Sequence, residues 1–578
     1  MRIFFLFPLL ILAAYVQAQP PQTKDSVINS ILKSISDFRT KETKRDSTLN
    51  HPLGSNEEDD FLRRYRFFDS VNTALNKIDK NSLTADGKIN LELLKYDVEE
   101  DVSTYTYKSY LNPILSDAGF HTGLASMGSQ VLSSKKEFEN YIQRLMDIPR
   151  FMDENIALMR KGLQLGICQP RSILDGYENT YEQHIVTDVE KSVFWKPFTK
   201  KPFAINEEDW KKLTTEGKQA VQQYAISGFR TLKTFFDKEY LPKTRTTIGA
   251  SHFPNGLAFY QDRVHHYTTT DLTYEEIYQL GLKEVARIRK EMEEVLKEVK
   301  FKGTMKEFIA FLRTDPKFYA TTPEQLLKEA SFIAKKADGM LPLLFGKLPR
   351  QPYGVEPVPE HLAPTYTAGR YSGAPIASKR AGNYWVNTYD LKSRSLYNLE
   401  ALTLHEAVPG HHLQIALTKE MTELPLFRRN LYVNAFGEGW GLYSEFLGTE
   451  MGFYKDPYAR FGRLTYEMWR ACRLVLDVAL HTKGWTRQQG VDYLAENTAL
   501  SLHEVNTEIN RYISWPGQAL AYKMGELKIK EMRKRAEEKL KDKFDVREFH
   551  DLVLSQGSVT LKILEEIVDN WIDTKSRF

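Results

Sequence analysis

From Leu404 to Gln414 the chain reads Leu-His-Glu-Ala-Val-Pro-Gly-His-His-Leu-Gln, and this stretch dictates more about the surrounding architecture than any other. A His-Glu pair followed by a second His is how helical zinc hydrolases present two imidazoles and a carboxylate. The usual spacing of four puts both rings on one helix face, about 6 Å apart along the axis. Here the second imidazole comes at 411 or 412, beyond Pro409 and Gly410. In an unbroken helix His411 would be turned roughly 120° away from His405. His412 would return to the same face but lie about 10 Å further along, too far to share one ion. Pro409 removes a backbone donor and Gly410 tolerates unusual dihedrals, so the helix can bulge between them and bring a later ring back. His411 is the favoured second ligand and His412 the alternative.

Such a site needs a third protein ligand and a position open to water. Downstream lies Asn-Ala-Phe-Gly-Glu-Gly-Trp-Gly-Leu-Tyr-Ser-Glu, residues 434–445, with Glu438 far enough on for one loop and a return along an antiparallel helix. Glu445 falls on the same helix face two turns later, where it can orient a ligand. Glu406 is the candidate general base, drawing a proton from a water that the metal has acidified. A His/His/Glu set suits Zn²⁺ best. The glycines at 437, 439 and 441 mimic a phosphate loop, but no strand precedes them, and that reading is set aside.

The bulk numbers fit a large globular enzyme. Of 578 residues, 42% are apolar and 27% charged, which supplies a sizeable core, while a net charge of +3 gives no reason to expect a nucleic-acid partner. The first residues, one Arg ahead of an apolar run from Phe4 to Val16 and then Gln17-Ala18, have the pattern of a cleaved export signal over residues 1–18. The expected location is the periplasm or beyond, with no stable membrane insertion after cleavage. Only Cys168 and Cys472 are present, too few for a disulfide framework or a thiolate metal site, and no Cys sits near the cleavage point for lipidation.

Helix signals dominate the rest. Thr273-x-x-Glu276, Thr486-x-x-Gln489 and Asp545-x-x-Glu548 have capping-box spacing, and Thr322-Pro323 puts Pro at a first helical position. Ile277, Leu280, Val285, Ile288, Met292 and Val295 make one apolar helical face. The charge-rich run Lys528–Lys543 is expected to be a solvated helix face. Only residues 359–394, rich in Gly, Pro, Tyr and Asn, break the pattern, and within them 383–389 have strand composition. The expected fold is mainly α: a large two-lobed helical body with a deep cleft and a short β edge element. A weak boundary near 265, where a loop is expected, divides an N-terminal helical part (19–265) from a catalytic part (266–578), the two forming one continuous unit.

The segments 405–414 and 438–445, with Arg511-Tyr-Ile-Ser-Trp-Pro-Gly-Gln-Ala-Leu-Ala-Tyr-Lys523, resemble the bacterial domain-of-unknown-function family 885. Asp271-Leu-Thr-Tyr-Glu-Glu-Ile and Arg470-Ala-Cys-Arg-Leu-Val-Leu-Asp extend the likeness from about residue 50 to the C-terminus. That family is in turn similar to the helical zinc peptidases that include angiotensin-converting enzyme and the Taq-type carboxypeptidases. The resemblance implies His405, His411 and Glu438 as ligands, Glu406 as base, and the 383–389 strand, with Tyr384, as a substrate-pairing edge. It also implies a late Tyr or His that stabilises the oxyanion. Tyr512 and Tyr522 are candidates for that donor, with His503 behind them. Arg511, Lys523, Arg370 or Arg394 would bind a substrate carboxylate. Asp477 and His481, four apart on a helix, form either a polar pair near the cleft or a structural contact.

The expected activity is zinc-dependent hydrolysis of short peptides, of carboxypeptidase or dipeptidyl-carboxypeptidase type. The rival readings are a zinc amidase or esterase acting on a non-peptide compound, and an inactive periplasmic binding protein with a relic site. Oligomeric state is not legible in the sequence.

Overall fold

A computed structural model describes residues 25–360, 362–363, 366–375 and 380–577, and 71% of the chain is helical. The expected signal peptide, residues 1–18, lies outside the described residues. The mainly α expectation is met, and most of the helix starts fall where the capping chemistry puts them. Thr273 and Thr486 close reciprocal capping boxes with Glu276 and Gln489, and Thr322 caps a helix that has Pro323 in its first turn. Asp545 caps through Arg547 N–H, without the reciprocal bond from Glu548.

Fourteen helices carry the account that follows. The N-terminal part supplies α1 (Ser26–Thr48), α2 (Glu58–Asn76), α3 (Ala85–Thr106) and α4 (Lys135–Leu165). After α5 (Gly256–Thr268) and α6 (Tyr274–Glu298) comes α7 (Pro323–Leu344). The short helices α8 (Leu399–Glu406) and α9 (His411–Glu420) are followed by α10 (Asn434–Glu450) and α11 (Pro457–Thr482). The last three are α12 (Leu502–Ser514), α13 (Ala521–Leu540) and α14 (Leu561–Ser576), with a further short helix, Val546–Val553, between the final pair. Residue 265 falls inside α5, not in a loop, because the run of Tyr and His there continues one helix to Thr268. The largest cluster of buried apolar side chains draws on residues from Leu93 to Ile572. Both cysteines are free and buried.

The packing shows which face of each helix the sequence pattern marks. On α6, Ile277, Ile288, Met292 and Val295 are buried against α11, with Leu280 and Val285 half-buried beside them. The charged run of α13 hides Ile529, Met532, Ala536 and Leu540, while Lys528 and Arg535 reach Glu565 of α14 at 2.7 and 2.9 Å.

A three-stranded sheet lies against this helical mass: β1 (Tyr353–Pro357), β2 (Gly369–Ser372) and β3 (Gly382–Val386), in the order β1-β3-β2. β3 runs parallel to β1 and antiparallel to β2, with Tyr371 opposite Tyr384. The strand composition noted at 383–389 is thus the central strand, which has no free edge. Its end is fixed by Asn387, whose amide donates to the carbonyls of Ala363, Tyr366 and Thr367. The edge beside the Leu399–Glu406 helix belongs to β2, four residues that are too short and too Gly-containing to stand out in sequence.

Candidate metal centre

The chain does not bulge at Pro409. It stops α8 at Glu406, turns through Ala407–Gly410, and starts α9 at His411. The turn is tight: Gly410 N–H donates to Leu404 C=O at 3.0 Å, and His412 N–H to Ala407 C=O at 3.1 Å. A Cβ on Gly410 would lie 1.9 Å from the carbonyl oxygen of His405, so only glycine closes this turn. Trp440 of α10, fully buried, donates its indole N–H to Pro409 C=O at 2.8 Å and holds the turn against the next helix.

This geometry brings His411, not His412, back to His405. The two rings meet edge to face at 4.8 Å between centroids. Glu438 of α10 completes the group: its Oε2 is 3.4 Å from His411 Nε2 and 3.7 Å from His405 Nε2, and one ligand atom from each residue lies within 4.8 Å of the others. Tetrahedral ligands about 2.0–2.1 Å from a zinc ion are separated by roughly 3.3 Å; the two Glu438 distances are close to this, and the widest pair of the three must close by up to about 1.5 Å to share one ion. Gly441, one turn beyond Glu438, lets the His405 ring lie on the α10 backbone; a Cβ there would sit 2.7 Å from both Cε1 and Nε2.

His405 is oriented from behind. Its Nδ1 is 2.8 Å from Glu445 Oε1, which fixes Nδ1 as the protonated nitrogen and leaves Nε2 free to bind. Glu445 is itself braced by Arg470 of α11 at 3.4 Å, a buried guanidinium stacked on Trp469. Burial alone would depress the pKa of His405, but Glu438 and Glu445 override it and hold it up at about 10. Burial likewise opposes ionisation of Glu438, yet His411 and His405 keep its carboxyl well below the usual range. The buried carboxylates therefore draw in positive charge, which a divalent cation would supply. Among the described residues, the buried Nδ1 of His411 has no hydrogen-bond partner.

Glu406, next to His405, is not part of the ligand group. Its Oε2 accepts the backbone N–H of Tyr371 at 2.7 Å, so the free edge of β2 holds this carboxylate. Arg370 on the same strand, exposed, is hydrogen-bonded to Tyr366.

Several residues singled out in the sequence lie elsewhere. His412 turns to Tyr371, whose hydroxyl is 3.0 Å from Nδ1, and packs on Tyr353; burial pushes its pKa down to about 4. Lys523 is fully buried with Glu526, Glu467 and Glu284 at 2.6, 2.9 and 3.2 Å, so it neutralises an internal acidic cluster and cannot meet a substrate. Tyr512 is also buried, its oxygen accepting from Trp469 Nε1 at 2.8 Å and Arg473 Nε at 2.9 Å. His503 is exposed at the start of α12, more than two turns from Tyr512. Tyr384 points into the core against Thr403. Asp477 and His481 do not pair with each other: Asp477 takes Tyr260 O–H and Gly517 N–H, and His481 takes Ala250 N–H and lies 2.9 Å from Tyr512 C=O. Tyr522 and Arg511 remain together, hydroxyl to guanidinium 3.3 Å.

Tyr432 escaped notice in the sequence. Its hydroxyl donates to Glu438 Oε1 at 3.1 Å, on the oxygen that the imidazoles do not use. Its ring lies over Gly437, where a Cβ would come within 2.3 Å of the hydroxyl oxygen. A tyrosine six residues before a ligand carboxylate, with glycine beside that carboxylate, was the available signal.

The family model described as "Bacterial protein of unknown function (DUF885)" matches residues 43–568. No curated protein matches. Two solved structures, each described as a "putative lipoprotein", share the fold. One, from Colwellia psychrerythraea, has a TM-score of 0.86 and 28% identity over 96% of this chain and 100% of that one. The other, of unknown function and from Shewanella oneidensis, has a TM-score of 0.70 and 17% identity over 94% and 99%. A Pyrococcus furiosus carboxypeptidase aligns over 90% of this chain and 98% of its own at a TM-score of 0.27 and 11% identity, which is below a shared fold. No helix among the described residues is long and apolar enough to cross a membrane.

Proposed function

We propose that this chain, which belongs to the bacterial family of unknown function DUF885, is a zinc-dependent peptidase that hydrolyses short peptides. One observation carries the reading: His405, His411 and Glu438 converge within 4.8 Å, with the adjacent Glu406 tied to the free edge of β2. Catalytic zinc sites use three protein ligands and leave the fourth place to water, whereas structural sites are closed by four; two buried imidazoles and one half-buried carboxylate supply such a set of three. A bound zinc would supply Lewis acidity, making a water molecule nucleophilic at neutral pH.

The chain's own residues do the rest. Glu406 takes the proton of the attacking water and passes it to the leaving amine, with Tyr371 N–H fixing its orientation. The substrate backbone lies along β2, the edge beside Glu406, and not along β3. Tyr522, the candidate tyrosine not locked into the core network, donates to the developing oxyanion, and Arg511 polarises its hydroxyl. Arg511, in contact with Tyr522, and Arg370, on β2, suit a terminal carboxylate, which favours a carboxypeptidase or dipeptidyl-carboxypeptidase mode.

The test pairs elemental mass spectrometry with peptide hydrolysis in the parent and in Glu406→Gln. About one zinc per chain in both proteins, with hydrolysis lost only in the variant, supports the reading. Absence of zinc after it is supplied, or hydrolysis at the parent rate in Glu406→Gln, refutes it.

A further inference from the structure

A groove of about 760 Å³ runs between α1, α3 and the segment Pro425–Tyr432. One face of α1 forms its floor, from Leu32 through Ser36 and Thr40 to Thr43. The eleven steps from Leu32 to Thr43 rise about 16 Å, which is the length of roughly five residues of extended peptide. Leu94 and Asp97 of α3 form one wall and Leu426, Asn430 and Tyr432 the other. Leu426 on this wall is 64% exposed.

Tyr432 connects this groove to the metal centre. It lines the groove, is 40% exposed, and places its hydroxyl 3.1 Å from Glu438 Oε1. The groove therefore ends one side chain from the ligand cluster. Its lining also bears on the occupant. A lipid chain calls for an unbroken apolar wall, but Ser36, Thr40, Thr43 and Asn430 interleave hydroxyls and an amide with the leucines. That alternation matches a peptide, whose backbone needs hydrogen-bond partners between side-chain pockets.

We infer that this groove is an extended subsite for the peptide substrate, holding about five residues on one side of the bond to be cut and passing over Tyr432 into the metal centre. The inference rests on the peptidase reading, but binding tests it without catalysis. Zinc-loaded Glu406→Gln protein is titrated into a fluorescein-labelled tripeptide and into two octapeptides that extend it by five residues at either terminus, followed by anisotropy. One octapeptide is expected to bind at least 10-fold tighter than the tripeptide. Thr40→Trp, which fills the floor, is expected to bring that ratio to within about twofold. Lys41→Trp, on the opposite face of α1, is expected to leave it intact. Equal affinity for all three peptides, or a length effect untouched by Thr40→Trp, overturns the inference, as does displacement of the octapeptide by palmitate. Failure of the parent to hydrolyse any of them, with the length effect present, would sink the catalytic reading and spare the groove.

Discussion

Gly441→Ala separates the metal centre from the fold more cleanly than loss of a ligand does. The added Cβ would stand 2.7 Å from Cε1 and Nε2 of His405. Carbon atoms in contact prefer about 3.5–4.0 Å, so the ring must retreat by roughly 1 Å. Zinc–nitrogen bonds tolerate deviations of about 0.2 Å around 2.0–2.1 Å, so a 1 Å displacement removes His405 as an effective ligand. A loss of about 100-fold in zinc affinity is expected, equivalent to about 2.8 kcal/mol. At a zinc concentration near 100 times the parent Kd, the stabilisation by metal would fall from about 2.7 to about 0.4 kcal/mol. The apo fold should change little, because alanine gains about 1 kcal/mol of helix propensity against an overpacking cost of about 1–3 kcal/mol. Competition with a chromophoric chelator measures the affinity, and denaturant unfolding of apo protein measures the fold. Parent-like zinc affinity in this variant would refute the packing argument and with it His405 as a ligand. A collapse of apo stability by more than about 4 kcal/mol would show that Gly441 serves the fold and not the site.

Three further outcomes are expected. His411→Ala should abolish stoichiometric zinc by elemental mass spectrometry, while His412→Ala should retain it and lose about 1–3 kcal/mol of stability through its contact with Tyr371; the reverse pattern would restore His412 as ligand. Lys523→Met should cost about 3–5 kcal/mol in urea unfolding without altering zinc content, because it leaves Glu467, Glu526 and Glu284 buried together without their shared cation. Asp477 is buried and its carboxyl is pushed up to about 7, so its protonated form is favoured in the fold. Its contribution is full below pH 4 and is lost as pH rises to about 7, so stability should fall across that range in the parent and fall less in Asp477→Asn; parallel curves would count against the shift.

The sequence pattern was most informative where local chemistry decides. Caps at Thr273, Thr322 and Thr486, and the buried face of α6, need only neighbours in the chain. The residues His405, His411 and Glu438 were legible because their types and spacing limit what they can do. The choice between His411 and His412 turned on the dihedrals of a four-residue turn, which spacing does not specify. Lys523 misled because a cation in a motif looks the same whether it meets a substrate or three internal carboxylates from α6, α11 and α13. Arg470 acts on Glu445 through a contact between helices, and Tyr512 is enclosed by Trp469 and Arg473 in the same way, while Tyr432 reaches Glu438 from the loop just ahead of α10. β3 has the stronger strand composition because it is central; the edge beside Glu406 is β2, where packing asks less of the sequence.

The ligand cluster and its neighbouring carboxylate all come from residues 405–438, whereas the floor of the groove comes from residues 32–43, nearly four hundred positions earlier. The two meet at a single phenol, that of Tyr432. Heredity can therefore treat them as separate modules. Substitutions along α1 can reshape the groove while leaving the His405, His411 and Glu438 cluster untouched.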